Sequence, residues 1–266
     1  MNYSQKIQML IIVLLMIIFS NYQAAYGAQD IEEIKESVVK IAVIDQGGGI
    51  ETGTGIILKI KDHKAYILTA FHVIQNYKEI KVTLYKQPTL IYPATVFQKY
   101  DSANDLAIIR IDDVEQADSK SGFRLGDVDD VKETDEIIAI GHPTDHDWEV
   151  SKGNIFKPEP TQFRFSGSAI DPGNSGGPLL NSDHHLIGIV TQKLTDKYSY
   201  AVKIDHALKI LDGWGVPYAF MRDWKWYYIG GGSVTAAAIL AAIFWPKDDG
   251  KTLPEDNKLP DPPPAP

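Results

Sequence analysis

Short apolar or alternating runs recur through the middle of this chain, and glycine, aspartate, asparagine or proline separates each run from the next. The clearest are residues 38–44, 55–60, 80–85, 137–140 and 186–191. Runs of this length between turn residues are typical of strands in an all-β sandwich or barrel. With 266 residues, 44% of them hydrophobic, the pattern predicts one all-β domain of about 190 residues plus terminal appendages.

A longer apolar run near the N-terminus predicts an export signal. Lys6 precedes residues 9–19, all of them apolar, and alanine and glycine follow up to Ala28. This order is typical of a secretory signal peptide, here cleaved after Gly27. An uncleaved anchor is the alternative, but eleven apolar residues are short for a bilayer. We therefore predict residues 1–27 as a signal peptide.

A second apolar segment, residues 227–245, carries no charged side chain and is long enough to span a bilayer. Tryptophan and tyrosine flank it, as they do at membrane interfaces. Ser233, Ala237 and Ala241 recur every four residues, a spacing suited to helix pairing. We predict residues 222–245 as a membrane-proximal segment and a transmembrane helix. A buried or amphipathic helix packed on the domain is the alternative, because three consecutive glycines weaken the helix.

The remaining residues, 246–266, are rich in proline and charged side chains. That composition is typical of a disordered tail with polyproline II character. Because the signal peptide would export the domain, the tail beyond the predicted span would stay in the cytoplasm. The chain would then be anchored in the inner membrane, with its folded domain in the periplasm or outside the cell.

The most specific chemical signal lies in residues 171–178, Asp-Pro-Gly-Asn-Ser-Gly-Gly-Pro. A serine hydroxyl is a weak nucleophile that needs a positioned base, and the oxygen of an attacked carbonyl needs preorganised N–H donors. Glycine permits a sharp turn and lets a substrate carbonyl come close. We predict Ser175 as a nucleophile and the backbone N–H groups of Gly173 and Ser175 as an oxyanion hole.

Two upstream segments supply the base and the acid that such a serine needs. Residues 65–74 form an apolar strand pattern that runs into His72, and Asp105 opens a buried-strand pattern over residues 104–111. The order histidine, aspartate, serine is that of the chymotrypsin-like triad, in which the histidine takes the serine proton and the aspartate fixes the tautomer. We therefore predict His72, Asp105 and Ser175 as a catalytic triad.

Together these motifs resemble trypsin-like serine proteases of the bacterial HtrA (Deg) type. Strand patterns at residues 53–57, 140–143, 186–189 and 200–204, and a helix-like stretch over residues 205–211, also resemble that family. The resemblance implies an all-β, chymotrypsin-like double β-barrel with a short C-terminal helix over residues 28–221. It also implies an endopeptidase that acts on proteins or peptides and assembles into trimers. A PDZ domain usually follows in that family, and the second apolar segment leaves no space for one before it.

The same serine also fits the Gly-x-Ser-x-Gly pattern of α/β-hydrolases, which is a rival prediction. That pattern needs a strand before the serine, a helix after it, and an acid and a histidine later in the chain. Pro172 and Pro178 flank the serine, and the next apolar run is a strand pattern. His206 with Asp183 or Asp196 would complete the order only nominally, so we favour the triad.

Composition excludes several other classes of protein. The chain has no cysteine, which rules out disulfides, thiolate metal sites and a cysteine nucleophile. Its net charge is −9 without any basic cluster, so nucleic acid is not expected as a partner. We expect no cofactor.

One loop invites a metal-site prediction that we do not favour. His142 and His146 lie close to Asp145 and Asp147 in the sequence, but in a proline-containing loop with no helix to align them. We predict a surface loop near the active site and no metal. Trp148 in this loop is a candidate substrate contact.

Substrate preference depends on two positions that the resemblance singles out. In trypsin-like folds, the position six before the nucleophile forms the floor of the primary specificity pocket, and here it is Ala169. A small, uncharged floor argues against cleavage after lysine or arginine. The resemblance implies small or medium aliphatic residues instead, with Thr191 lining the same pocket.

These observations predict a membrane-anchored serine endopeptidase of the bacterial cell envelope. The alternative is a latent or inactive trypsin-like domain that acts as a membrane-tethered binding scaffold, since HtrA-type domains can rest with a collapsed oxyanion loop.

Overall fold

The computed structural model describes residues 29–115, 119–143, 146–168, 171–193 and 197–221. In chain order the strands are β1 (Val38–Asp45), β2 (Ile50–Lys61), β3 (Lys64–Ala70), β4 (Tyr77–Leu84), β5 (Gln87–Asp101), β6 (Leu106–Ile111), β7 (Ser119–Lys120), β8 (Glu136–Gly141), β9 (Glu149–Pro158), β10 (Gln162–Gly167), β11 (Pro178–Leu180), β12 (Leu186–Lys193) and β13 (Ser199–Lys203). The helices are α1 (Ile31–Lys35), α2 (Phe71–Ile74) and α3 (Ile204–Trp214).

The first barrel consists of β1 to β6. Its strands pair in the order β1-β4-β5-β6-β3-β2, and β2 pairs back with β1 to close the barrel, while β7 pairs with β2. Alternate side chains of a strand share one face. Val39, Ile41 and Val43 of β1 accordingly point into the barrel and are at most 2% exposed. The predicted alternation over residues 38–44 is therefore the inward face of this strand.

The second barrel consists of β8 to β13, paired in the order β10-β13-β12-β11-β8-β9 and closed by β9 and β10. Phe163 and Phe165 of β10 lie in its core, and the same apolar cluster includes Ile56 and Leu58 of the first barrel. The outer face of β2 is therefore buried against the second barrel. Burial on both faces explains why residues 55–60 form a nearly continuous apolar run instead of an alternating one.

The C-terminal helix of the fold, α3, follows directly after the second barrel. Its apolar residues Ile204, Ala207 and Leu211 recur at helical spacing and are buried. Gly215 ends the helix with a φ of +65°, a left-handed conformation in which glycine has no steric penalty. The predicted all-β double barrel with a short C-terminal helix is confirmed, and the helix extends beyond the predicted residues 205–211.

The predicted signal peptide (1–27), membrane segment (222–245) and tail (246–266) lie outside the described residues. Within the part of the chain that the structure describes, no helix is both long enough and apolar enough to cross a membrane.

Candidate active site

His72 and Asp105 lie at adjacent ends of two paired strands of the first barrel. β3 runs directly into α2, which carries His72, and Asp105 immediately precedes β6. The two strands pair antiparallel with Ala70 opposite Leu106, so the strand register itself brings the histidine and the aspartate together. Nδ1 of His72 donates to Asp105 Oδ2 at 2.7 Å, and its backbone N–H donates to Oδ1 at 2.8 Å.

This contact fixes the tautomer of the His72 ring. An ionised carboxylate can only accept hydrogen bonds, so Nδ1 carries the proton and Nε2 is left as an acceptor. Asp105 has a φ of +54°, a left-handed conformation that aspartate tolerates better than most residues. Its carbonyl accepts from the Phe71 N–H at 3.0 Å, which ties the aspartate to α2. His72 is thus oriented as a general base requires.

Ser175 lies in a turn within the segment that joins β10 to β11 of the second barrel. Gly173 and Gly176 on either side of it have φ values of +98° and +86°. A Cβ at Gly173 would lie 2.0 Å from the carbonyl oxygen of His142. A Cβ at Gly176 would lie 2.1 Å from the carbonyl oxygen of Thr54. Both conformation and packing therefore require glycine beside the serine.

Gly173 and Ser175 both line the cavity that His72 also lines. In the described part of the chain, neither of their backbone N–H groups donates to a protein acceptor. Preorganised N–H donors of this kind stabilise a negative oxygen that develops during acyl transfer. The oxyanion hole formed by Gly173 and Ser175 stays a prediction.

The Ser175 hydroxyl donates to the carbonyl oxygen of Thr191 at 3.4 Å. Among the described residues, no hydrogen bond joins Ser175 to His72. Contacts between a nucleophile and its base are often long before substrate binds. The structure brings His72 and Ser175 to one cavity, and Asp105 is hydrogen-bonded to His72. The catalytic roles of the three residues stay predictions.

The cavity at Ser175 has a volume of about 760 Å³, and both barrels contribute to its walls. Thr191 lines it together with Val190 and Ser199, whereas Ala169 lies outside the described residues. Ser199 is 2% exposed. Its place in the cavity wall was not predicted, because its position at the start of a strand pattern was the only signal that the sequence offered. Other wall residues are Lys40, Ile50, Glu51, Thr52, Val73, His142, Pro143, Asp147, Asp171 and Pro172.

His142 is buried next to the nucleophile turn, which corrects the prediction of a surface loop for this residue. Its Nδ1 accepts from the Trp148 N–H at 3.3 Å and lies 3.4 Å from Asp147 Oδ1. The rings of His142 and Trp148 pack edge to face with their centres 4.6 Å apart, and this packing draws the histidine inside. Burial lowers the pKa of His142 to about 4, although the Asp147 carboxylate opposes the shift.

Asp147 links this loop to the first barrel. It forms an ion pair with Lys40 of β1, with Nζ 2.6 Å from Oδ1. Burial raises the pKa of Asp147, but Lys40 and His142 outweigh burial and hold it below the usual value of an aspartate. Within the described ranges, no group of three or more metal-ligating side chains could hold an ion, and Asp145 lies outside those ranges.

Trp148 is part of the packing between the barrels, so its prediction as a substrate contact is wrong. The residue is 8% exposed, and its Nε1–H donates to the Val38 carbonyl at 2.9 Å. Its ring packs edge to face on Tyr85, with the ring centres 5.4 Å apart. An indole with an interior acceptor for its N–H group is stable away from water.

The structure also excludes the rival α/β-hydrolase pattern, which the sequence did not favour. After Ser175 the chain continues into β11, not into the helix that this fold requires. His206 lies on α3, and its Nε2 contacts Asn104 Oδ1 at 3.1 Å instead of lining the Ser175 cavity. Asp183 lies in the turn between β11 and β12, and Asp196 lies outside the described residues.

Comparison with known proteins agrees with this fold. The profile of the Trypsin-like peptidase domain family matches residues 53–189. Serine protease Do-like HtrA of Bacillus subtilis is 33% identical over 159 residues, which cover 54% of this chain and 34% of that protein. The Probable periplasmic serine endoprotease DegP-like of Halomonas elongata is 33% identical over 172 residues, 60% of this chain and 34% of that protein.

Among solved structures, HtrA-type protease AlgW with tripeptide matches with a TM-score of 0.57 at 24% identity, over 69% of this chain and 61% of that chain. This likeness supports the double-barrel fold. The chain spans about a third of the length of the two curated relatives. Because the family profile covers more than half of its residues, the chain belongs to the trypsin-like peptidase domain family, and its predicted resemblance to HtrA-type serine proteases is confirmed.

Proposed function

We propose that this protein is a serine endopeptidase that cleaves peptide bonds in proteins or peptides through an acyl-enzyme on Ser175. The observation that carries the proposal is the pair of hydrogen bonds, at 2.7 and 2.8 Å, that hold His72 on Asp105 at the edge of the Ser175 cavity. The names of the relatives, which are serine proteases, support the same reaction class.

In the first half of the reaction, His72 Nε2 takes the proton of the Ser175 hydroxyl as Oγ attacks the peptide carbonyl carbon. The carbonyl oxygen becomes negative, and the N–H groups of Gly173 and Ser175 stabilise it. Asp105 stabilises the imidazolium by accepting from Nδ1. The C–N bond then breaks, His72 returns its proton to the leaving amine, and the acyl group stays on Ser175.

In the second half, a water molecule replaces the amine. His72 takes a proton from the water, the resulting hydroxide attacks the ester carbon, and the same N–H groups hold the oxygen. The bond to Ser175 breaks, its Oγ recovers the proton from His72, and the carboxylic acid product leaves.

The proposed setting is the bacterial cell envelope, with the protease domain exported and the chain anchored in the inner membrane. The apolar segments at residues 9–19 and 227–245 support this setting, as does the periplasmic relative. Assembly into trimers is part of the proposal and follows from the family resemblance alone.

A second candidate function is a latent protease or a binding scaffold. The observation that favours it is the Ser175 hydroxyl, which donates to Thr191 O instead of to His72. A resting enzyme of this kind would need a partner or a substrate to rotate the hydroxyl toward its base.

Labelling with a fluorophosphonate probe separates these functions, because the probe reacts only with an activated serine. We would compare the wild-type chain with Ser175→Ala and with Ser182→Ala, which changes an exposed serine in the turn after β11. Labelling of wild type and Ser182→Ala, but not of Ser175→Ala, would support the protease. Turnover of an unfolded protein should then fall about a millionfold in Ser175→Ala. Absence of labelling in all three proteins would favour the latent protease or the scaffold.

A further inference from the structure

Thr54 belongs to β2 of the first barrel, yet all of its polar atoms contact groups near the active site. Its Oγ1 donates to the carbonyl oxygen of Gly173 at 2.5 Å, and its backbone N–H donates to the carbonyl oxygen of Ser175 at 2.8 Å. Its own carbonyl accepts from Thr69 Oγ1 at 2.7 Å. Thr54 is 0% exposed, so water does not compete for these bonds.

The second barrel has glycines where the Thr54 side chain enters it. A Cβ at Gly141 would lie 3.0 Å from Thr54 Oγ1, and a Cβ at Gly177 would lie 3.0 Å from Thr54 Cγ2. Both distances are shorter than ordinary van der Waals contact, so these glycines leave just enough room for the hydroxyl and the methyl group. Valine has nearly the shape of threonine and would fit the same space, but it lacks the hydroxyl.

The Gly173 carbonyl has only one other donor among the described residues. The His142 N–H reaches it at 3.3 Å, which is long for a hydrogen bond. The Thr54 hydroxyl therefore provides the shorter of the two contacts that hold this carbonyl. Gly173 itself has a φ of +98° and no side chain that could fix its orientation.

We propose that Thr54 is a positioning residue for the turn from Gly173 to Ser175, which carries the predicted oxyanion hole. Its hydroxyl holds the Gly173 carbonyl, which belongs to the peptide group between the Gly173 and Ser175 N–H groups. Fixing this central peptide group limits rotation of the two peptide groups on either side, which carry the proposed oxyanion donors. Through Thr69, which lies three residues before His72, the same threonine connects this turn to the segment that carries the base. The proposal rests on the proposed protease function, because it assigns a role in the same reaction.

The test compares the full-length wild-type chain with Thr54→Val and Thr54→Ser. We expect Thr54→Val to lower kcat about 10- to 100-fold with KM nearly unchanged. Loss of a whole oxyanion donor lowers kcat about 10²- to 10³-fold, and a donor that is misdirected for part of the time should lower kcat by less. Thr54→Ser keeps the hydroxyl and should stay within about threefold of wild type. Thr95→Val, which changes an exposed threonine of β5, is the matched control.

Affinity for a peptide aldehyde supplies a readout that a purely structural role would not change. The aldehyde forms a tetrahedral adduct whose oxygen occupies the oxyanion hole, whereas the amine-side product of cleavage has no carbonyl or carboxylate at that position. We expect Thr54→Val to weaken aldehyde binding by about the same factor as kcat, while product binding changes less than about threefold. If Thr54→Val does not fold, Thr54→Ala against Thr54→Ser makes the same comparison.

Two results would overturn the role of Thr54. One is a Thr54→Val enzyme whose kcat and aldehyde affinity match wild type, and the other is a Thr54→Ser enzyme as impaired as Thr54→Val. Failure of the protease proposal gives a different result, since the wild-type chain itself would then show neither labelling nor turnover.

Discussion

Acid should destabilise this protein through His142, and replacing that residue by glutamine should remove the effect. The ring is 0% exposed, and burial lowers its pKa from 6.5 to about 4. Burial disfavours the charged ring in the packed loop, because a buried charge without adequate solvation is costly. Glutamine is polar and stays neutral at every pH, so His142→Gln tests the titration itself.

The size of the effect follows from the difference in proton affinity between the two states. The unfolded chain binds a proton on His142 near its ordinary pKa of 6.5, whereas the folded chain does so only near 4. Between these values the unfolded state binds more protons, so the free energy of unfolding decreases as the pH falls. The contribution is absent above about pH 7 and amounts to about 2 kcal/mol at pH 5 and about 3 kcal/mol at pH 4.

Urea unfolding of wild type and His142→Gln, followed by tryptophan fluorescence between about pH 4 and pH 7.5, measures this difference directly. Carboxylates titrate in the same range, and those that do not contact His142 do so alike in both proteins and cancel in the comparison. Asp147 is the exception, because His142 contributes to lowering its pKa. The control is His146→Gln in the same loop, since the His146 side chain is 71% exposed and should leave the wild-type profile unchanged. Parallel curves for wild type and His142→Gln, within about 0.5 kcal/mol at all pH values, would refute the reasoning.

Two further predictions concern the triad and the contact between the barrels. Asp105→Asn keeps the shape of the side chain but replaces an acceptor of the His72 Nδ1 proton by an amide, so we expect kcat to fall about 10⁴-fold. Steady-state kinetics would measure this, and a decrease in kcat of less than about tenfold would contradict the role of Asp105. Trp148→Phe removes the indole donor from a buried backbone carbonyl of β1, so urea unfolding should show a loss of about 1–3 kcal/mol. The control is Trp214→Phe, at the half-buried end of α3. An equal decrease in the free energy of unfolding in both variants would show that the hydrogen bond of Trp148 does not account for the effect.

The parts of the site that sequence predicted are those that local patterns determine. His72 and Asp105 each adjoin an apolar strand pattern, and two strands that pair antiparallel bring such neighbours together. The glycines around Ser175 signalled a turn, and their positive φ values account for that residue type. These features depend on residues near in the chain or on one strand register, so the sequence carries a readable signal for them.

The parts that sequence analysis missed depend on contacts between distant segments. Thr54 looks like an ordinary strand residue, and nothing near it in the sequence indicates that Gly173, 119 positions later, accepts from its hydroxyl. The proline and charges around His142 suggested exposure. Its burial comes instead from Trp148, whose ring packs on it and whose indole N–H donates to β1. Such tertiary contacts override local composition.

The arrangement of these contacts implies that the two barrels must be docked for the chemistry to occur. His72 and Asp105 belong to the first barrel, Ser175 belongs to the second, and Thr54 bonds across the boundary to the turn that holds the nucleophile. Small relative movements of the barrels would change the distance between base and nucleophile, on which proton transfer depends steeply.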